Sequence, residues 1–450
     1  MSREFAIFTL CAMSLPALAA PAENPLQRSI ALIRGMQSQD ELIDASKACD
    51  DALPLAEDPA TTAAERALLF TTCGDVHLRT GDLAKSRALL ESALSLWTKM
   101  LGATDAQVAV TSLDLALVYR LTGWYELAEQ LARRALAIDE ASYGPKSPML
   151  TRALISLGTA ESMLGRYADA ELNLNRALSL LLSGYGREGL EAAQAHSSLG
   201  LLYFRQGRYL EAEQSYRRAG AIPGSGPDSA RTLAGLARVY LATARYDKAD
   251  TACSKALDLL TRSLTPLHSE VAATLLILAQ VRRSQERYAE EAELLKQALD
   301  LTVRVSGPDR LNESIILNSI GVSYNLQRRY AEAEGQFRKA IRIQEKLGGD
   351  ARRDLSMTLH NLAFTCNKQG RYSEALDLAT RALATCEADL PNVDSTVLDI
   401  MLHKAELLRK VHCKTEAAKL ERAARQARAS LNSEKPDRWV VDFRELQGKK

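Results

Sequence analysis

A short motif returns along this chain every 42 residues, and no other property of the sequence constrains the fold as strongly. Its clearest copies are Gly207-Arg208-Tyr209-x-Glu211-Ala212 and Gly370-Arg371-Tyr372-x-Glu374-Ala375. The aromatic position falls at Tyr125, Tyr167, Tyr209, Tyr246, Tyr288, Tyr330 and Tyr372, in steps of 42 residues except one of 37. Self-similarity at such a period means a solenoid, because one unit cannot bury its apolar face without stacking on the next.

Each period divides into two helices. The first carries a small residue seven positions before the turn, at Gly74, Ala116, Gly158, Gly200, Ala237, Ala279, Gly321, Ala363 and Ala405. The second carries Ala three residues after the aromatic position and again seven residues on, as at Ala128 and Ala135, Ala212 and Ala219, or Ala375 and Ala382. Small side chains there let antiparallel helices cross closely while Leu and Tyr fill the space around them. The Gly-Arg step between them suits a helix C-terminus and a tight reversal. Glu291 stands where the other repeats place Ala or Ser, which predicts looser packing in that unit and a gain in stability on Glu291→Ala.

Leu199-Gly200-x-x-Tyr203, Ile320-Gly321-x-x-Tyr324 and Leu236-Ala237-x-x-Tyr240 resemble the first-helix signature of the tetratricopeptide repeat. Ala212-x-x-x-Tyr216 and Ala333-x-x-x-Phe337 resemble its second. The longer unit is similar to the kinesin light chain variety, as in Thr358-Leu359-His360-Asn361-Leu362-Ala363. The resemblance covers about residues 38–430 and implies an all-α superhelical solenoid of about nine to ten helix pairs. Kinesin light chain repeats usually pair Asn before Leu-Ala. This chain keeps Asn318 and Asn361 but has Leu113-Asp114, Ile155-Ser156, Ser197-Ser198 and Ala234-Gly235 elsewhere, so that cargo recognition is not carried over.

Turns are expected near 81, 123, 165, 207, 244, 286, 328, 370 and 412, after a degenerate opening unit around Asp40–Leu55. The short step comes from a Pro/Gly-rich stretch at 220–228, read either as a kink in one superhelix or as a hinge between two blocks. Residues 1–19 read as a signal peptide, with the apolar run Phe5–Leu15 before Ala17-Leu18-Ala19; the array then occupies 20–430 and a non-repeat tail 431–450. The expectation is a bacterial, exported (periplasmic or secreted) protein, or a cytoplasmic one if the first segment is not a signal. In the tail, Arg438–Phe443 reads as extended, capping the last helix or lying in the groove.

A net charge of +1 gives no pull toward nucleic acid, and no apolar stretch outside the N-terminus is long enough to span a membrane. The cysteines are scattered without a CxxC pair, which points away from zinc and redox motifs. Cys49 and Cys73 fall on adjacent helices in this register, within reach of a disulfide in an oxidising compartment. The dispersed histidines form no HExxH, and neither GxSxG nor GxxxxGK[ST] occurs. An enzyme is therefore not expected, nor a cofactor or a resident metal.

The concave face, lined in this family by the first helices, is the expected binding surface. Its inward positions hold Arg79, Arg120, Arg152, Arg205, Arg231, Arg238, Arg283, Lys368, Arg409 and Lys410 against Asp75, Asp399 and Glu406. Asn318, Asn325, His360 and Asn367 line the later repeats, and Phe204 and Phe364 supply apolar surface. Such a groove suits an extended acidic peptide of a protein partner. Two alternatives stay open. Several arginines pair with flanking acids and merely solubilise the wall, or the protein is an assembly subunit of an envelope complex acting through its convex face or ends.

Overall fold

The computed structural model describes residues 24–38, 41–185, 189–223, 227–263, 269–306, 311–387 and 395–431. The segment 1–19 read as a signal, the centre of the Pro/Gly stretch at 224–226 and the tail beyond 431 lie outside the described residues. Within them the chain is all-α, with twenty α-helices in series. The opening pair is α1 (Pro25–Ser38) and α2 (Leu42–Ala52). In the nine pairs that follow, the first helices are α3 (Ala63–Thr80), α5 (Ala106–Leu121), α7 (Thr151–Met163), α9 (Leu190–Arg205), α11 (Pro227–Ala242), α13 (Ser269–Ser284), α15 (Leu311–Leu326), α17 (Arg352–Lys368) and α19 (Ser395–Lys410). Their partners are α4 (Leu83–Leu101), α6 (Tyr125–Tyr143), α8 (Tyr167–Tyr185), α10 (Tyr209–Ala221), α12 (Tyr246–Ser263), α14 (Tyr288–Ser306), α16 (Tyr330–Leu347), α18 (Tyr372–Glu387) and α20 (Lys414–Leu431).

The recurring motif has a distinct use for each of its residues. The turn must pass through the left-handed region, where glycine carries no Cβ penalty. Gly81, Gly123, Gly165, Gly207 and Gly370 do so at φ 88°, 87°, 78°, 73° and 80°. Ala244, Glu286, Arg328 and His412 make the same step at φ 56°, 60°, 60° and 65°. The next N–H then closes the helix end, Arg208 donating to the Tyr203 carbonyl and Arg371 to that of Cys366, each at 2.9 Å.

The arginine after the glycine staples repeats together. Arg208 reaches forward to Glu211 at 3.0 Å and back to Glu171 of the preceding repeat at 3.3 Å. Arg371 does the same with Glu374 at 2.8 Å and Glu334 at 2.7 Å. The guanidinium also lies over the first-helix tyrosine, Arg208 over Tyr203 at 4.2 Å and Arg245 over Tyr240 at 4.6 Å. These groups are partly exposed, so each contributes modestly and their repetition matters more than any one of them.

The small residue of each first helix is matched to what crosses it. A Cβ on Gly74 would come within 2.7 Å of Leu90, on Gly158 within 2.8 Å of Leu174, on Gly200 within 2.8 Å of Tyr216, and on Gly321 within 2.5 Å of Phe337. The equivalent second-helix residue is Ala132 opposite Ala116, Cys253 opposite Ala237 and Ala379 opposite Ala363. Glycine thus stands where the crossing side chain is large, and alanine mostly where it is small. Ala279 opposite Leu295 and Ala405 opposite Glu421 are the exceptions.

Tyr216, 4% exposed, is wedged between Gly200 of its own repeat and Gly235 of the next. Stacking therefore continues past the shortened helix α10, which packs on α11, as α9 also does. At the N-terminal end Cys49 of α2 and Cys73 of α3 are bonded, their Cα atoms 5.5 Å apart, inside a cluster that includes Leu26, Ile33, Leu69 and Val76. This link secures the opening pair to the first full repeat.

Gly235→Ala would place its Cβ inside van der Waals contact of the Tyr216 ring, which Gly200 blocks from retreating. Overpacking should outweigh the propensity gain and cost about 1–3 kcal/mol, whereas Gly335→Ala, with nothing within 4 Å of its Cβ, should stabilise by up to about 1 kcal/mol. Denaturant melts of the two variants check the opposite signs. At the turn, Ala244→Gly relieves a left-handed alanine at φ 56° and should raise stability by about 0.5–1 kcal/mol, read as slower hydrogen exchange in α11 and α12.

Candidate functional site on the inner face

First helices of successive repeats touch one another, α7 on α9, α9 on α11, α11 on α13, α15 on α17 and α17 on α19. The side on which helices converge is the inside of the superhelix, so the first helices line the concave face. Polar rungs join them. Arg152 bonds Asp114, Thr159 donates to Ser198 at 3.0 Å, and Gln194 donates to Asp228 at 3.0 Å. Further along, Asn361 donates to Asn318 at 2.9 Å and Asn325 to Thr365 at 3.0 Å.

These rungs correct the expected positive channel of ten cations against three anions. Arg231 is exposed but bound to Asp228 at 2.8 Å and to Glu270. Glu270 and Asp228 outweigh the burial that disfavours its charge and raise its pKa. Arg283 turns into the protein, its side chain 18% exposed, and meets the 1%-exposed Glu291 at 2.5 Å. Arg409 pairs with Glu421 at 2.7 Å and Lys410 with Glu406 at 3.1 Å. Arg205, half-buried, donates to the Ser162 and Met163 carbonyls at 3.1 and 3.3 Å and so caps α7. The neutralising acids mostly stand outside the positions counted from sequence. They swing inward from the next turn or the neighbouring repeat.

The amide and aromatic candidates are divided in the same way. Asn325, His360, Asn367 and Phe364 are 5%, 8%, 7% and 4% exposed, which makes them parts of the wall and not its surface. Asn318 is half-buried in its rung, and Phe204 is half-buried with its ring 5.7 Å from Tyr209. Lys368 is exposed with its ammonium 5.1 Å from the Phe364 ring centre, and Arg238 is exposed on α11.

Arg120, on α5, behaves differently. It is half-buried and forms no ion pair among the described residues. Burial pushes its guanidinium down to about 10, the charge of Arg231 acts in the same direction, and Glu270 and Tyr125 oppose them. Arg231 and Glu270 belong to α11 and α13, so the superhelix brings the second repeat electrostatically close to the fifth and sixth. Neither the periodicity nor the motif indicated this neighbour, because the proximity comes from superhelical curvature. Among the described residues no group of three His, Cys, Asp or Glu could hold a metal, and no helix is long and apolar enough to cross a membrane.

The architecture and its lined inner face define an α-solenoid of stacked helix pairs. Tetratricopeptide repeat profiles match residues 65–141, 108–183, 228–302, 292–346 and 312–388, and a second such profile matches 155–226. The chain belongs to the tetratricopeptide repeat family. Its fold is similar to that of RapI in the apo form, at 16% identity over 72% of this chain and 87% of that one, with a TM-score of 0.56. Other similar structures are a Rap protein complexed with competence and sporulation factor (16% identity, 73% and 99% covered, TM-score 0.48) and nearly identical kinesin-light-chain TPR-like repeats from Podosopora anserina (19%, 46% and 98%, TM-score 0.41). No curated protein matches the chain.

The Arg283–Glu291 pair reverses the expectation drawn for Glu291. Burial raises the pKa of its carboxyl, while Arg283 opposes that shift and holds it in place. Removing the carboxylate strands a largely buried guanidinium. Glu291→Ala should therefore lower stability by about 1–3 kcal/mol, and adding Arg283→Leu should recover much of the loss in thermal melts.

Proposed function

We propose that the protein is a non-enzymatic interaction scaffold, exported from the cell, that holds an extended acid-bearing segment of a partner protein along its inner face. The observation that supports this reading best is Arg120, a half-buried guanidinium on the inner wall with no ion pair among the described residues. A carboxylate beside it would add the direct ion pair that the more distant Glu270 does not form, and a planar guanidinium suits that ligand. Exposed Arg238 supplies a second free cation, and Val110 and Leu121, each 40% exposed, give α5 apolar surface. Neighbouring cations already matched by their own acids would set position more than affinity.

A second reading has its own observation. Leu172 on α8 and Leu210 on α10 are 68% and 67% exposed on the second helices, as suits an assembly subunit that works through its convex face.

Capture of partners by the full chain, identified by mass spectrometry, followed by comparison of variants, separates the two. Arg120→Ala with Arg238→Ala should weaken capture by about 1–3 kcal/mol without loss of helicity, and capture by the unaltered protein should fall with salt. Capture that survives both the double substitution and high salt, but is lost on Leu172→Ser with Leu210→Ser, would assign binding to the convex face.

A further inference from the structure

The last two first helices meet through a pair of histidines. His360 of α17 and His403 of α19 are 8% and 1% exposed, their ring centres 5.1 Å apart. They occupy nearly the register that Asn318 and Asn361 fill one repeat earlier, so a rung that cannot take a proton gives way to one that can. Phe364 lies one turn along α17 with its ring 6.2 Å from that of His403.

The hydrogen bonding at this rung specifies a neutral ring. Lys410 donates to Asn367 Oδ1 at 2.8 Å, and an ammonium has only protons to offer, which settles the orientation of the amide. Asn367 Nδ2 therefore faces His403 Nε2 at 3.2 Å as a donor, and Nε2 must accept. His403 carries its proton on Nδ1. A second proton on Nε2 would set donor against donor. Rotating the Asn367 amide would only move the same conflict onto Lys410.

We propose that the α17–α19 junction is a proton-operated joint: closed when His360 and His403 are neutral, and released when they are protonated, so that acid undocks the pair α19–α20 from the repeats before it. The surroundings favour release. Lys368 of α17 and Lys410 of α19 act on His403, and His403 acts on His360. Glu406 is engaged with Lys410, whose ammonium lies 5.1 Å from the Tyr372 ring centre of α18. From α15 come the amides of Asn318 and Asn325, and on α20 Glu421 is bound to Arg409. Asp399 stands one turn before His403 on α19.

The sign of the linkage is fixed by depressed values. Burial first, then the lysine charges, lowers His403 to about 4, and burial with the charge of His403 lowers His360 to about 3. An unfolded imidazole titrates near about 6.5. The stability the neutral pair contributes is thus complete above about 6.5 and is lost as pH falls toward about 4.

Hydrogen exchange of the full chain, corrected for intrinsic rates, tests the joint at about pH 7 and about pH 4.5. Protection in α19–α20 should drop roughly tenfold or more on acidification while α5–α6 changes little, and His403→Phe should remove that difference. An equal response in both regions, or an unchanged acid response in His403→Phe, overturns the proposal. If that variant does not fold, Lys410→Met decides. It frees Asn367 to turn Oδ1 toward a protonated ring, so the His403 titration midpoint followed by NMR should rise by roughly one unit. An unchanged midpoint refutes the relay.

Discussion

The close crossing of the two helices within each repeat is the constraint on which the rest of the structure depends. A residue without a side chain, or with one methyl, must sit where a Leu, Tyr or Phe passes, and Gly200 against Tyr216 or Gly321 against Phe337 leaves no room for more. Once that distance is set, the second helix presents its Ala column to the first, and the outer face of one pair fits the next. Tyr216 extends the constraint across units, since its ring also fills the notch at Gly235. The shortened α10 can then lose a turn without a break in packing, because the wedge that couples the neighbouring repeats lies in the part that remains.

Around this crossing the polar residues of the motif divide the work by scale. The left-handed turn sets the direction in which the chain reverses, and the following arginine ties one repeat to the last through Glu171, Glu213 or Glu334. Stability in such an array is close to a sum of unit and nearest-neighbour terms. Repeated weak staples therefore set the stiffness of the stack more than any single ion pair does. The disulfide at Cys49 and Cys73 adds a covalent tie between the opening pair and the first full repeat.

Periodicity made the fold legible because each repeat restates the same local geometry. All nine turns fall where the motif places them, including those at Ala244 and Arg328, where glycine is absent. The inner face was much less legible. Counting inward positions finds Arg231 and Arg283 but not Glu270 or Glu291, since those acids reach the wall from other positions in the register. Asn325, His360 and Asn367 were correctly placed on the first helices, yet lateral bonds between repeats withdraw them from solvent. The proximity of Arg120 to Arg231 was beyond any local pattern, because it depends on how the superhelix closes over several units.

A wall whose charges are matched in place has consequences for what it can select. An acidic segment gains little beside Arg152 or Arg231, whose partners it would have to displace. Its free energy must come from the few cations left without a pair and from the apolar surface between them. On the proposed reading, selectivity would reside in spacing along the groove rather than in bulk positive charge, and spacing is what a rigid stack preserves. The early rungs include ion pairs, as at Asp114 and Arg152, and the later ones amides and finally imidazoles. Ionic rungs hold across ordinary pH, whereas the imidazole rung holds only while neutral. That gradient places a rung that depends on neutral imidazoles at the last described junction of first helices, α17 on α19.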